Sequence, residues 1–131
     1  MCVCVFSFIC SVNHDMVEAR RRWDLTKKFR AEERLDNILN EPHPHFETIK
    51  AIWPHYLAGR SKGGNLIYWE RPGEISIDKI TQGGLTQEIL LRHWIYITEY
   101  QWEVGADGDN MAKSITIIDI DNVGIGALVG K

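Results

Sequence analysis

The stretch Ser114 to Ile120, Ser-Ile-Thr-Ile-Ile-Asp-Ile, constrains the fold more than any other part of the chain. It is rich in β-branched residues and nearly continuous in apolar character. A strand with one wet face alternates apolar and polar positions, whereas a run like this one is expected of an interior parallel strand. Parallel strands cannot be joined by a tight hairpin and need a crossover, usually a helix. The residues before it supply one. Thr86 reads as an N-cap, and a helix is predicted from there to about Val104. Ahead of that helix, Leu66 to Trp69 is a β-type run between a Gly-rich loop, Gly59 to Asn65, and the Pro72-Gly73 turn. The order predicts one right-handed βαβ crossover.

Helices precede the crossover. Met16 to Leu39 carries an interrupted apolar stripe through Ala19, Trp23, Thr26, Leu35, Ile38 and Leu39. Asp15 is a plausible N-cap with Glu18 three residues on. Pro42 and Pro44 end the run, and a short helix is predicted from His45 to Trp53 before Pro54. Ser76 to Ile80 is a further short helix, broken by Gly83-Gly84. The Thr86 to Val104 helix is apolar on most sides, which predicts burial on most sides. Gly105 to Asn110 reads as a turn, and Val123 to Val129 as the possible start of another helix.

A chain of 131 residues fits one domain or part of one. Its net charge of -3 gives no global basic field to recruit nucleic acid. Basic residues crowd locally between Arg20 and Arg30, interleaved with Glu18, Asp24, Glu32 and Glu33. That mixture fits a solvated helix face, with a membrane or phosphate contact as the sharper alternative. Cys2, Cys4 and Cys10 lie in the first ten residues and form no disulfide framework. The chain is therefore read as cytoplasmic. The apolar run Cys2 to Val12 is shorter than the roughly 20 residues a membrane span needs. Residues 1–15 are read as an N-terminal extension.

Catalytic and metal patterns are weak. Cys2, Cys4, Cys10 and His14 do not have zinc-finger spacing, and His43, His45 and His55 read as loop or surface histidines. The Asp107 to Asn110 loop lacks the Glu that an EF-hand needs, since Ile118 stands in its place. Asp121 is expected to cap the turn after the strand. There is no nucleophile elbow and no phosphate loop, and Gly124-Ile125-Gly126 lacks its third glycine. No enzyme, metal or cofactor is expected. Aromatic residues stand out instead, with five Trp and four Tyr in the chain. They fit core packing, or an apolar pocket lining with hydroxyl tips.

The run Trp53 to Gly73, WPHYLAGRSKGGNLIYWERPG, resembles the CRAL-TRIO domain of the Sec-fourteen-like family. That family shows an aromatic-Pro pair, a turn ending in Gly and a short strand carrying a Tyr. The Leu85 to Trp102 helix looks like its following helix. Ser114 to Gly126 looks like its next strand, and Arg20 to Leu57 is similar to the end of its helical N-terminal lobe. The resemblance covers residues 16–131, with a lobe over about 16–57 and the start of a lipid-binding sheet over about 58–131. It implies an α/β fold with a mixed sheet, cut off before the domain is complete. The family's inositol-phosphate contacts, gate helix and remaining strands would lie beyond Lys131.

The resemblance also implies function. Family members bind or transfer lipids such as phosphatidylinositol and phosphatidylcholine, or tocopherol and retinal, without a catalytic residue. A Tyr in the first strand and a Ser-x-Thr pair in the next meet the choline head group, and Tyr68, Ser114 and Thr116 match them. Tyr96 and Tyr100 match an aromatic contact on the helix. Ser114 and Thr116 alternate along a strand, so their hydroxyls share a face and could donate to one phosphate. Leu57 replaces a further head-group Tyr, and Asn65-Leu66 replaces the usual Arg-Pro. The expected protein is a monomeric lipid-binding or lipid-transfer module, peripherally and transiently associated with membranes. The alternatives are a lipid-sensing or protein-interaction module of a larger signalling protein, and a fragment without independent binding.

Overall fold

The computed structural model describes residues 9–106 and 114–124. Helix α1 spans Met16–Glu32, and a 3-10 helix follows over Leu35–Asn40. Helix α2 is Phe46–Ile52, and strands β1 and β2 are His55–Arg60 and Leu66–Glu70. After a short 3-10 turn at Pro72–Glu74 come helix α3, Ile77–Gln82, and the long helix α4, Gln87–Ala106. Strand β3, Ser114–Ile118, completes a three-stranded mixed sheet in the order β1-β2-β3. Among the described residues no helix is long and apolar enough to cross a membrane.

Helix α1 begins as its sequence suggests. The Asp15 carboxylate accepts from the amides of Val17 and Glu18, at 3.0 and 3.1 Å, satisfying two donors of the first turn. The predicted helix to Leu39 does not continue, because Arg34 adopts a left-handed conformation with φ 51°. The break turns the next segment so that Leu35 and Ile38 are buried. Arg30, 13% exposed, pairs with Glu99 of α4 at 2.8 Å and with Asp36 at 2.6 Å. Arg92 of α4 donates to the Glu33 carbonyl and to the Glu41 carboxylate. These contacts tie the lobe to α4. Earlier basic residues of α1 are instead paired along their own helix, Glu18 with Arg21 and Arg22, and Asp24 with Arg20 and Lys27.

The crossover is present, since β2 and β3 run parallel with Tyr68 opposite Thr116. Two features of the sheet differ from expectation. The residues after Trp53-Pro54 form β1, antiparallel to β2, so the sheet begins at His55 and takes in Gly59 and Arg60 from the predicted loop. Gly59, at φ 88°, supplies the left-handed residue where the register shifts between Leu57 and Arg60, a β-bulge. The second difference is that β3 occupies an edge and all five of its residues are exposed. Its nearly continuous apolar character fits an interior strand covered on both faces, but among the described residues it pairs with β2 alone and both faces are exposed. Asp119, rather than Asp121, caps the following turn, accepting from the Asp121 amide at 3.1 Å.

The main core cluster joins Ile49 and Ile52 of α2 to Leu85, with Trp53, Ile80, Ile89 and Leu90 packed around it. A second contact zone lies between sheet and helix, where Leu66, Tyr68 and Ile97 are buried. A Cβ at Gly105 would sit 3.4 Å from Leu66, so a small residue permits close approach of α4 to β2. Helix α4 is not buried on most sides. Leu91, Trp94, Tyr100 and Trp102 are all more than two-fifths exposed. Ile89, Leu90 and Ile97 pack on the core, whereas these exposed apolar side chains lie outside it.

Candidate ligand clefts around helix α4

Register and helical spacing build the site. On β2 and β3, Leu66, Tyr68, Ser114 and Thr116 lie on one face, because Leu66 pairs with Ser114 and Tyr68 with Thr116. On α4, Trp94, Thr98, Gln101, Trp102 and Gly105 recur at spacings of three and four, so they share a stripe. The two sets enclose a cleft of about 350 Å³, with Ile97 and Glu70 completing the lining. Three of the residues singled out from sequence, Tyr68, Ser114 and Thr116, therefore meet in one cleft.

Tyr96 and Tyr100 do not line that cleft. They border an adjoining one of about 410 Å³, together with Phe46, Lys50, His55 and Tyr56. Tyr68 and Ile97 line both clefts and form the partition between them. Leu57, standing where the resemblance expects a tyrosine, lines the second cleft. A third cleft of about 420 Å³ shares Tyr96 and includes His43 and Arg92. All three volumes are at the lower end of those seen for small-ligand sites.

Tyr68 is bound differently from a free phosphate donor. Its hydroxyl donates to Glu70 Oε2 at 2.8 Å. Burial, and then the neighbouring Glu70 carboxylate, push the phenol above the usual tyrosine range, so it stays protonated and keeps that bond. Among the described residues, Glu70 is the one charged side chain in the lining of the 350 Å³ cleft. Ser114 and Thr116 carry its remaining strand hydroxyls, and both residues are exposed.

His43 and His45 lie in the loop before α2 as read from the sequence, but His55 is a buried strand residue. His55 and His93 are 2% and 1% exposed, and with His43 they form a hydrogen-bonded row. His93 Nδ1 is 2.9 Å from His43 Nε2, and His93 Nε2 is 3.2 Å from His55 Nε2. His55 Nδ1 lies 2.8 Å from the Trp53 carbonyl. Lys50 donates to the His55 carbonyl and stands over the Tyr56 ring. The row is linear and its nitrogens do not converge, and among the described residues no group of His, Cys, Asp or Glu is arranged to hold a metal ion.

Sequence reasoning missed Glu70 and His93, while Trp94 and Trp102 were among the aromatic residues read as core or pocket lining. The α4 stripe was legible as a spacing of three and four. The row of histidines was not, because its members are 38 and 50 residues apart. Cys2, Cys4, the Asp107 to Asn110 loop and Gly126 lie outside the described residues, as does most of the Val123 to Val129 segment. No protein-family model matches the chain, and no curated protein matches it.

Proposed function

We propose that this chain is a lipid-binding module of the CRAL-TRIO kind, holding a phospholipid by its head group in the cleft between β2, β3 and α4. The observation that carries the reading is the meeting of Tyr68, Ser114 and Thr116 in one cleft whose other walls include Leu66, Trp94, Ile97 and Trp102. Apolar walls with a few placed hydroxyls suit an amphiphile. Ser114 and Thr116 donate to the phosphate. Removing acyl methylenes from water contributes about 0.8 kcal/mol each, and less when the lipid leaves a bilayer.

Glu70 narrows the lipid class. A carboxylate in a cleft that two indole rings also line favours a quaternary ammonium or amine and repels an additional anion. The reading is therefore phosphatidylcholine or another zwitterionic lipid ahead of phosphatidylinositol. No catalytic residue, metal or cofactor is invoked, and membrane contact is transient and peripheral.

Uptake of phosphatidylcholine from vesicles, followed by mass spectrometry of the lipid retained on the purified protein, tests this. The parent is expected to retain phosphatidylcholine, and the Ser114→Ala, Thr116→Val double variant to retain several-fold less. Equal retention by the two proteins would remove the head-group assignment. No retention by either would remove the lipid reading.

The open face of the sheet favours a second reading, a protein-interaction module. Tyr56 stacks on Trp69 there at 5.3 Å, and Tyr56, Ile115 and Ile117 are exposed beside them. Sparing of the function by the double variant and its loss on Ile117→Asp would select that alternative.

A further inference from the structure

The row of three imidazoles has a fixed direction. The Trp53 carbonyl can only accept, so His55 Nδ1 carries a proton and, in the neutral ring, its Nε2 accepts. His93 Nε2 must then donate to His55, which leaves His93 Nδ1 as an acceptor. His43 Nε2 donates in turn to His93. Every tautomer follows from one backbone carbonyl.

Counting protons shows how much acid the row tolerates. Three imidazoles have six nitrogens, and each nitrogen-to-nitrogen bond admits one proton. With both bonds intact the row holds its three protons plus one more, on His43 Nδ1. A further proton places two N–H groups face to face and breaks a bond. The surroundings oppose it as well. Lys50 of α2 faces His55 and His93, while His45 and Arg92 of α4 face His43, Arg92 being paired with Glu41 in a cleft that Glu33 and Glu88 also line. Tyr68 of β2, whose hydroxyl is held by Glu70, faces His55. Among the described residues no carboxylate is hydrogen-bonded to any of the three rings.

The row also joins separate elements. His43 belongs to the proline segment before α2, His93 to α4 and His55 to β1. His55 lines the 410 Å³ cleft and His43 the 420 Å³ one, while the residue after His93, Trp94, lines the head-group cleft. We propose that this histidine row is an acid-sensitive latch between α4 and β1, and that its release lets ligand leave the clefts α4 borders. The second clause rests on the lipid reading above; the first does not.

Nitrogen NMR of the histidine rings near neutral pH tests the geometry. His55 is expected in the Nδ1–H form, and His93 and His43 in the Nε2–H form. The opposite tautomer at His93 would overturn the latch. Amide exchange of α4 and β1, corrected for intrinsic rates, then tests release. Opening is expected to increase by up to about tenfold per pH unit for each proton taken up on opening, relative to α1. In His93→Phe the dependence should weaken, because only His43 and His55 remain to take up protons on opening. His43→Gln keeps a donor to His93 but removes a ring that takes up a proton on opening, so its latch should open at a lower pH than the parent's. That downward shift separates the latch from a merely structural contact. A parent seam protected equally at all these pH values, or a His43→Gln seam that opens at the parent's pH, would sink the proposal. Phosphatidylcholine retention should fall over the same pH range. Opening without loss of lipid overturns the regulatory clause alone, and no retention at any pH overturns the lipid reading and that clause with it.

Discussion

The Tyr68 hydroxyl donates to Glu70 Oε2, two residues further along the same strand, in the 350 Å³ cleft between β2, β3 and α4. The bond fixes a carboxylate in a lining otherwise uncharged among the described residues and commits the tyrosine proton to the protein. Glu70→Gln keeps the shape and removes the charge. We expect the variant to lose preference for phosphatidylcholine over phosphatidylinositol by about 1 kcal/mol, or roughly fivefold in competitive vesicle uptake. An unchanged ratio would show that the carboxylate does not face the lipid head.

The Arg30 and Glu99 side chains are 13% and 12% exposed and join α1 to α4. Removing Glu99 leaves the mostly buried Arg30 charge matched only by the exposed Asp36. Glu99→Gln is expected to destabilise the protein by about 1–3 kcal/mol. Urea denaturation measures this directly. The exposed pair Arg20–Asp24 serves as the control, since Asp24→Asn should change stability by under about 1 kcal/mol.

Gly73 is needed for a close approach and not for its backbone freedom. A Cβ there would overlap the Asp121 carbonyl oxygen and lie 2.8 Å from the Asn122 carbonyl carbon. The contact holds the turn after β3 against the turn after β2, beside the Arg71–Asp119 ion pair. Gly73→Ala is expected to cost about 1–3 kcal/mol by overpacking. Faster amide exchange in β3 than in α1 would locate the damage, whereas uniform loss across the chain would contradict a local role.

Acid should unfold this protein earlier than carboxylate titration alone would. Burial is the main cause that lowers the proton affinity of His43, His55 and His93. For His93, burial followed by the nearby His55, His43 and Lys50 brings the value to about 3. An unfolded histidine titrates near about 6.5. Below that pH the unfolded chain binds protons that the folded chain does not, so this stability is full above about pH 6.5 and declines as pH falls. The urea midpoint is expected to drop already between about pH 6.5 and about pH 5. A midpoint that stays level until carboxylates titrate would mean that the rings reach water in the native state.

Much of the architecture could be read from residues in order. Thr86, the Gly83-Gly84 break and the β-branched run at Ser114 predict a helix followed by a parallel strand, and α4 and β3 follow that order. Asp15 caps α1 as its type and position suggest. These signals are local: a cap, a breaker or a periodicity lies within a few residues of what it controls. The alternation of Ser114 and Thr116 is of the same kind, and it put both residues on the strand face that borders the cleft.

Tertiary structure decided the rest. His55 looks like a loop residue beside Pro54, and only pairing with β2 and the arrival of His93 bury it. Helix α4 looks like a core helix, yet it is ringed by clefts, because apolar periodicity does not say whether the facing surface is packed protein or open space. Arg34 leaves the helix where no Gly or Pro marks a stop, and the turn buries Leu35 and Ile38. Residues far apart in sequence had no means of announcing these contacts. Their energy comes from burial and from charges matched across the fold, which exist only once the chain has closed on itself.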